Sequence, residues 1–260
     1  MPLVRVDHAG GVSVLTLDRP DARNALSIEL CDAIVDALEE IDARLESRVI
    51  VLRGEGKVFC SGADFAAVSG PRGLEFLPAF ERMLEAVART RLPTIAAIHG
   101  AALGGGLQLA TACDFRVADG DAKIGIPSSK IGILVNFENV QRLMLLVGHA
   151  AAREILITGR TYSGEDAERL GLLNRAVEPG SVAAAASELA AKIASVAPLS
   201  VQGSKRAIQA VVDHLAGARS TDPEKVAEID RLVGGAYRSD DLQEGLAAMA
   251  ERRPPRFTGR

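Results

Sequence analysis

The order of apolar and polar positions divides the chain into strands followed by helices, and then into helices alone. Leu3–His8 and Val12–Leu17 alternate or run apolar on either side of Gly10-Gly11, which is a β-hairpin signal. The segment RPDARNAL, Arg19–Leu26, reads as a loop. Ser27 is placed to cap a helix whose apolar positions Leu30, Ile34, Leu38, Ile41 and Leu45 recur at steps of three and four. Val49–Leu52 reads as a short buried strand closed by the turn Gly54-Glu55-Gly56. Val58–Asp64, VFCSGAD, reads as a strand running into a glycine turn. Phe65–Gly73 reads as a loop, and Leu74–Thr90 as a helix interrupted near Pro78.

The middle of the chain, TIAAIHGAALGGGLQLATACD from Thr94 to Asp114, reads as a β-branched apolar strand (Thr94–His99), a glycine-rich turn, and a short helix entered at Gly104, Gly105 and Gly106. Phe115–Ala118 and Lys123–Ile126 follow as strands, and Asn136–Val147 as a helix closed by Gly148. From there to Leu215 the pattern is mainly helical, with one strand at Leu173–Val177. Pro198 and Thr221-Asp222-Pro223 punctuate the last helices, and the tail RRPPRFTGR is expected to be extended. Strands alternating with helices before residue 150, then helices alone, predict an α/β core with a helical C-terminal part.

Composition narrows the function. The chain has 260 residues, enough for a full core, and 48% are apolar, yet no apolar run approaches the length of a membrane span. MPLVRVDHAG lacks a basic start followed by an apolar stretch, so no signal peptide is expected. The three cysteines, Cys31, Cys60 and Cys113, have no C-x-x-C spacing, which favours a reducing, cytoplasmic setting and argues against a cysteine-built zinc site. A net charge of −4 without a basic block, and only 3% aromatics, argue against nucleic-acid binding. Local arginines remain able to meet a phosphorylated small ligand.

Two turns share a design. Ser61-Gly62-Ala63-Asp64 and Gly104-Gly105-Gly106 each follow a strand. A helix N-terminus presents N–H groups without internal partners and the positive end of the helix dipole. Glycine there lets a ligand oxygen approach the backbone. Such turns suit a developing negative charge. The spacing leaves two readings open: one jointly built oxyanion site, or two ordinary strand-to-helix connections. A dinucleotide fingerprint would need a glycine where Leu107 or Gln108 stands, and the G-x-S-x-G elbow of serine hydrolases is absent.

FCSGAD (Phe59–Asp64) and IHGAALGGGLQLATACDFRVAD (Ile98–Asp119) resemble the two signature segments of the crotonase, or enoyl-CoA hydratase/isomerase, superfamily. RPDARNAL, IPSSKIG (Ile126–Gly132), QRLMLLVG (Gln141–Gly148), TGRTYSGEDAERLGLLNRAVEP (Thr158–Pro179) and the terminal RFTG extend the resemblance over essentially the whole chain. It implies a ββα spiral core that binds acyl-CoA over residues 1–197. It also implies a helical region over residues 198–260 that assembles trimers or hexamers. The implied ligand is a coenzyme A thioester, with no permanently bound cofactor and no metal.

The resemblance further implies that the backbone N–H groups of Ala63 and Gly105 form the oxyanion hole for the thioester carbonyl. Arg23, Ala25, Ser61, Asp64, Phe65, Leu103, Gly104 and Ile131 match positions that line the coenzyme A and acyl path. Arg23 also reads as a solvated loop arginine, and Asp64 as a helix N-cap.

The sequence departs from the family where hydratases carry two glutamates. Those positions here are Gln108 and Ser128. A glutamine does not titrate, and a serine with no base beside it is a poor proton shuttle. Some relatives place a carboxylate at the position matching Asn136, which cannot titrate either. Glu138 is the nearest carboxylate in sequence, readable as a substitute or as a first-turn helix charge behind an Asn136 cap. His99, Cys60 and Cys113 read as structural rather than chemical, and Lys130 as solvated. Three functions therefore stand: an acyl-CoA enzyme of the hydratase/isomerase class with an unidentified proton carrier, an acyl-CoA binding or carrier protein, and a different reaction of this family such as thioester hydrolysis or decarboxylation.

Overall fold

The computed structural model of the chain describes residues 2–65, 68, 73–218 and 223–258. β1 (Val4–Ala9) and β2 (Val12–Leu17) form the expected antiparallel hairpin, with Ala9 opposite Val12. β3 (Val49–Gly54), β4 (Thr94–Ile98), β6 (Phe115–Asp119) and β9 (Arg175–Val177) then add in parallel, giving the sheet order β1-β2-β3-β4-β6-β9. A smaller sheet joins β5 (Ala101–Leu103), β7 (Lys123–Gly125) and β8 (Thr161–Tyr162). The helices are α1 (Ile28–Ala43), α2 (Gly73–Arg89), α3 (Gly105–Ala112), α4 (Phe137–Thr158), α5 (Gly164–Arg169), α6 (Val182–Ala194), α7 (Pro198–Ala218), α8 (Pro223–Ala236) and α9 (Asp240–Ala250).

The large sheet is covered on both faces, as parallel strands require. Side chains alternate across a strand, so Ile50, Leu52, Ala96 and Ile98 face the main core with α1 and α2. Val49, Val51, Ile95 and Ala97 face the other way, onto Val182, Ala186 and Ala190 of α6. α1 forms where the periodicity places it, and Ser27 Oγ accepts the Leu30 N–H at 3.2 Å as its cap.

Several elements differ from the sequence reading. α1 stops at Ala43, so Leu45 falls outside the apolar stripe and is 91% exposed. Val58–Asp64 is not a regular strand; it touches its neighbours through single parallel bridges, Cys60 with Ala102 and Ala63 with Leu26. β5 lies inside the stretch read as a glycine turn, and is too short to show a period. α2 continues through Pro78, which leaves the Leu74 carbonyl without its intrahelical donor but does not end the helix. The first segment of α4 closes at Gly148 as read, where φ of 75° and ψ of 167° are non-helical, but a second helical segment follows directly and runs to Thr158. Phe65 and Val68 are helical where a loop was expected, and residues 66, 67 and 69–72 of that segment lie outside the described residues. Thr221, Asp222, Gly259 and Arg260 lie outside them as well. Pro254–Thr258 has no regular secondary structure and is pinned to α9: the Arg256 N–H donates to Glu244 and the Thr258 N–H to Asp241.

Among the described residues no single helix is long and apolar enough to cross a membrane. Asp213 of α7 pairs with Arg89 of α2 at 3.1 Å at the surface, and Lys205 of α7 reaches further in. Lys205 Nζ donates to the Leu92 carbonyl at 2.8 Å and to Asp114 Oδ2 at 2.7 Å, and the same carboxylate accepts the Thr94 N–H and hydroxyl at the start of β4. Lys205→Met keeps the stem and removes the donors. It is expected to lower stability by about 1–3 kcal/mol, read as a shift in the urea midpoint, because the Leu92 carbonyl loses its partner.

Candidate functional site

The two glycine turns are brought side by side by main-chain hydrogen bonds between the segments leading into them. The Phe59 N–H donates to the His99 carbonyl at 3.0 Å, and the Cys60 N–H to the Ala101 carbonyl at 3.1 Å. The Leu103 N–H returns to the Cys60 carbonyl at 3.1 Å. On the other side, the Leu26 N–H donates to the Gly62 carbonyl and the Asp64 N–H to the Leu26 carbonyl, both at 2.8 Å. In extended backbone successive groups point to opposite sides. Gly62 and Asp64 spend theirs on Leu26, so the Ala63 N–H between them faces away, towards α3.

Gly105 is the first residue of α3, entered from Gly104, whose φ of 53° and ψ of −120° only glycine adopts readily. A methyl group built on Gly105 would lie 3.4 Å from the Ala63 nitrogen, 3.3 Å from Leu26 Cδ1 and 3.3 Å from Phe80 Cε2. Among the described residues neither the Ala63 N–H nor the Gly105 N–H has a backbone acceptor. The two amides therefore border one small space walled by Leu26 and Phe80. A single oxygen is the group that two such donors suit.

The loop supporting Ala63 is built around Asn24. Its side chain is fully buried, its Oδ1 accepts the Arg19 N–H at 3.0 Å, and its Nδ2 faces the carbonyls of Glu55, Val58 and Phe59 at 2.9, 2.9 and 3.2 Å. Arg23 and Asn24 both have left-handed backbone, with φ of 53° and 54°. That curl brings the Arg23 carbonyl to the Ser61 N–H at 3.1 Å and leaves the Arg23 side chain exposed. Asp64 pairs with Arg19 at 2.6 Å, and Arg19 also donates to the Ala25 carbonyl. Ser61, Ala63, Phe65, Leu103 and Gly104 are half-buried around the turns.

Gln108 is half-buried on the first turn of α3, where its N–H donates to the Gly104 carbonyl. Ser128 lies in the 3-10 turn Pro127–Ile131, half-buried, and Ile131 of the same turn packs against Gly245 of α9. α4 packs on that turn and on α3. Asn136 caps α4, its Oδ1 accepting the Asn139 N–H at 3.2 Å, and Glu138 is exposed in the first turn. Lys130 is exposed. His99 is held by its Nε2 at 3.1 Å from the Gly56 carbonyl.

The cysteines are packed. Burial pushes the Cys60 thiol up to about 12, and Cys60 Sγ donates to the Asn24 carbonyl at 3.1 Å. Burial likewise raises Cys31 and Cys113 to about 12, so none is a thiolate at neutral pH. Among the described residues no group of three or more His, Cys, Asp or Glu side chains is placed to hold a metal ion.

Two features of the site escaped the sequence reading. Asn24 sits in a loop, where nothing in the pattern marks a buried amide. Phe80 and Glu81 lie on α2, where Phe76, Phe80, Met83, Leu84 and Val87 make the buried stripe and Glu81 flanks it. A glutamate at the edge of such a stripe is the signal available, and it is a weak one.

The family model described as enoyl-CoA hydratase/isomerase matches residues 7–260. A "probable enoyl-CoA hydratase" of Mycobacterium leprae (strain TN) is 36% identical over 265 residues, covering 99% of this chain and 100% of that one. The structure of an enoyl-CoA hydratase/isomerase from Pseudoalteromonas atlantica T6c superposes with a TM-score of 0.85 at 29% identity, covering 98% of this chain and all of that one. A methylmalonyl-CoA decarboxylase in complex with 2-nitronate-propionyl-CoA superposes with a TM-score of 0.89 at 25% identity, over 99% of both chains.

Proposed function

The chain belongs to the enoyl-CoA hydratase/isomerase family, and from that premise we propose that it binds a fatty acyl-CoA or enoyl-CoA thioester with the carbonyl oxygen between the Ala63 and Gly105 N–H groups. The observation that carries this reading is the 3.4 Å approach of the Ala63 nitrogen to the methyl position of Gly105, with neither amide bonded to a backbone acceptor among the described residues. Two aimed donors lower the energy of the enolate that forms when a proton leaves the carbon next to the thioester. The path of the coenzyme runs along Arg23, Ala25, Ser61, Asp64 and Phe65, and the acyl group passes Leu103, Gly104 and Ile131. The likeness to a decarboxylase solved with a nitronate-bearing propionyl-CoA supports a coenzyme A thioester as the ligand. No resident cofactor or metal is part of this reading, and the setting proposed is the cytoplasm.

Acetoacetyl-CoA tests it, because its enolate absorbs in the near ultraviolet and is the species the hole selects. Mixing with the protein is expected to raise that band in proportion to binding. No band, together with no turnover of 2-enoyl or 3-enoyl thioesters of any chain length by mass spectrometry, sinks the proposal. A second reading, an acyl-CoA carrier, is favoured by Gln108 and Ser128, which leave both usual carboxylate positions without a titrating group. It requires binding with no turnover at all.

Residues 198–260 are proposed to build a trimer or a hexamer. α7 leaves Ile208 65% exposed, with Val211 and Leu215 on the same face also uncovered, and such a stripe suits a subunit contact. Sedimentation as a monomer at micromolar concentration would contradict this.

A further inference from the structure

Gln108 and Ser128 carry no proton that titrates near neutral pH, so proton chemistry at this site needs a group from elsewhere. The hole is bordered by α2 and α3, and α4 packs on α3 next to them. α2 supplies Phe80, whose ring borders the Gly105 position at 3.3 Å. α2 packs on α3, which carries Gly105 and Gln108, and α4 packs on α3 and on the turn bearing Ser128. Glu81, the next residue after Phe80, turns towards α4. Its Oε1 accepts Asn139 Nδ2 at 3.0 Å, and Asn139 and Asn136 are both buried at the head of that helix.

We propose that Glu81 is the proton carrier of this site, acting on carbon 2 of a 3-enoyl-CoA or saturated acyl-CoA. The inference rests on the reading that Ala63 and Gly105 hold the thioester oxygen. The C2–H bond breaks and an O–H bond forms on Glu81. The electron pair of the C–H bond becomes the C1=C2 bond, and the thioester oxygen takes the charge between the two amides. Return of the proton to C2 restores the substrate. Delivery to C4 of a 3-enoyl substrate moves the double bond to C2=C3 and leaves Glu81 ionised again. One carboxylate completes this shift without water or a second acid. Hydration would need a further group to activate water, so isomerisation is the chemistry this arrangement serves.

The surroundings suit a base. Burial holds the Glu81 carboxyl above the ordinary carboxylate range; Arg142 of α4 opposes the rise, Glu138 adds to it, and the Asn139 and Asn136 amides lower it. Arg142 in turn donates to Asn139 Oδ1, which fixes the amide that orients Glu81. Tyr237, just after α8, is pushed up to about 12 by burial and by the Glu81 charge, so it stays a neutral phenol facing the carboxylate. A carboxylate made more basic by its site is better matched to a carbon acid.

The test compares the whole wild-type chain with Glu81→Gln in D2O. Butyryl-CoA reports deuterium entry at C2 by mass spectrometry, and 3-hexenoyl-CoA reports the double-bond shift by its absorbance. The wild-type chain is expected to do both, and Glu81→Gln to slow both about a hundredfold, with acyl-CoA affinity by calorimetry changed less than about threefold. Glu81→Asp should recover part of the rate. The wild-type rate should fall as pH drops through an inflection above the ordinary glutamate value of about 4.3. A merely structural Glu81 would move the melting temperature and leave that inflection in place.

Exchange by Glu81→Gln at the wild-type rate overturns the inference, and so does a wild-type chain that exchanges nothing. The acetoacetyl-CoA band separates the two levels. A band with unchanged Glu81→Gln kinetics removes Glu81 and leaves the hole; no band together with no turnover of any enoyl thioester removes the hole, and Glu81 with it.

Discussion

Gly105→Ala is expected to abolish the acetoacetyl-CoA enolate band and slow any enolate-forming turnover by roughly 10²–10³-fold while the chain stays folded. The added methyl would lie 3.4 Å from the Ala63 nitrogen, where the thioester oxygen has to sit. Its other neighbours are Leu26 Cδ1 and Phe80 Cε2, each at 3.3 Å and each the far end of a side chain. Those ends can give by a few tenths of an ångström, so the cost to stability is about 1 kcal/mol. Gly106→Ala, one residue on, should lose function by a different route. Its methyl would fall inside van der Waals contact with the Cys60 carbonyl oxygen and 2.9 Å from Cys60 Cβ and Sγ. Cys60 cannot retreat, because its carbonyl holds the Leu103 N–H and its N–H holds the Ala101 carbonyl. The start of α3 must move instead, which separates the two amides and lowers stability by about 1–3 kcal/mol or more. Ultraviolet titration with acetoacetyl-CoA beside a urea melt distinguishes a filled hole from a spread one. A wild-type enolate band in Gly105→Ala would mean that the oxygen binds elsewhere.

Much of the fold was legible because its signals are local. The β1–β2 hairpin follows from Gly10-Gly11 between apolar runs, and α1 from Ser27 and a stripe of period 3.6. The parallel order is not written in any one segment, but strands that are apolar on both faces, such as Val49–Leu52, require cover on both sides. Where the reading failed, the deciding contact was distant in sequence. Leu45 continues the α1 stripe, yet the chain must turn towards β3 and leaves it in solvent. Val58–Asp64 has strand composition, but its bonds go to Leu26, His99, Ala101 and Leu103 rather than to one partner strand.

The candidate site divides in the same way. Its turns were legible, since glycine is needed where the backbone curls or a second chain segment approaches. Resemblance supplied the pairing of Ala63 with Gly105, which spacing alone left open. Glu81 was not legible, because a helix period places it beside the stripe without saying that α4 closes over it. Glu138 was singled out for proximity in sequence; it is exposed, and its charge acts on Glu81.

Asn24→Ala is expected to destabilise the chain by about 3–5 kcal/mol and to weaken acyl-CoA binding in the fraction that folds. Two effects combine. The part-buried Arg19 N–H loses its acceptor, and the carbonyls of Glu55, Val58 and the buried Phe59 lose a shared donor. Each buried group left unpaired costs about 1–3 kcal/mol, partly recovered where water enters. The φ of 54° adds a backbone penalty for alanine that asparagine tolerates better. Asn24→Gly separates the terms, since glycine accepts that φ while making none of the side-chain bonds. It should still lose most of the stability. Asn24→Asp keeps the acceptor for Arg19 but turns a second carboxylate oxygen onto three carbonyls, so it should be no better than alanine at neutral pH. Amide hydrogen exchange at Phe59 and Cys60 then reports the site directly. Both N–H groups bond across to the glycine-rich segment, and their protection should fall with Asn24, because this one amide holds the segment that delivers Ala63. Unchanged protection with a small shift in midpoint would show that the Leu26 and Ala101 bonds alone position the turn.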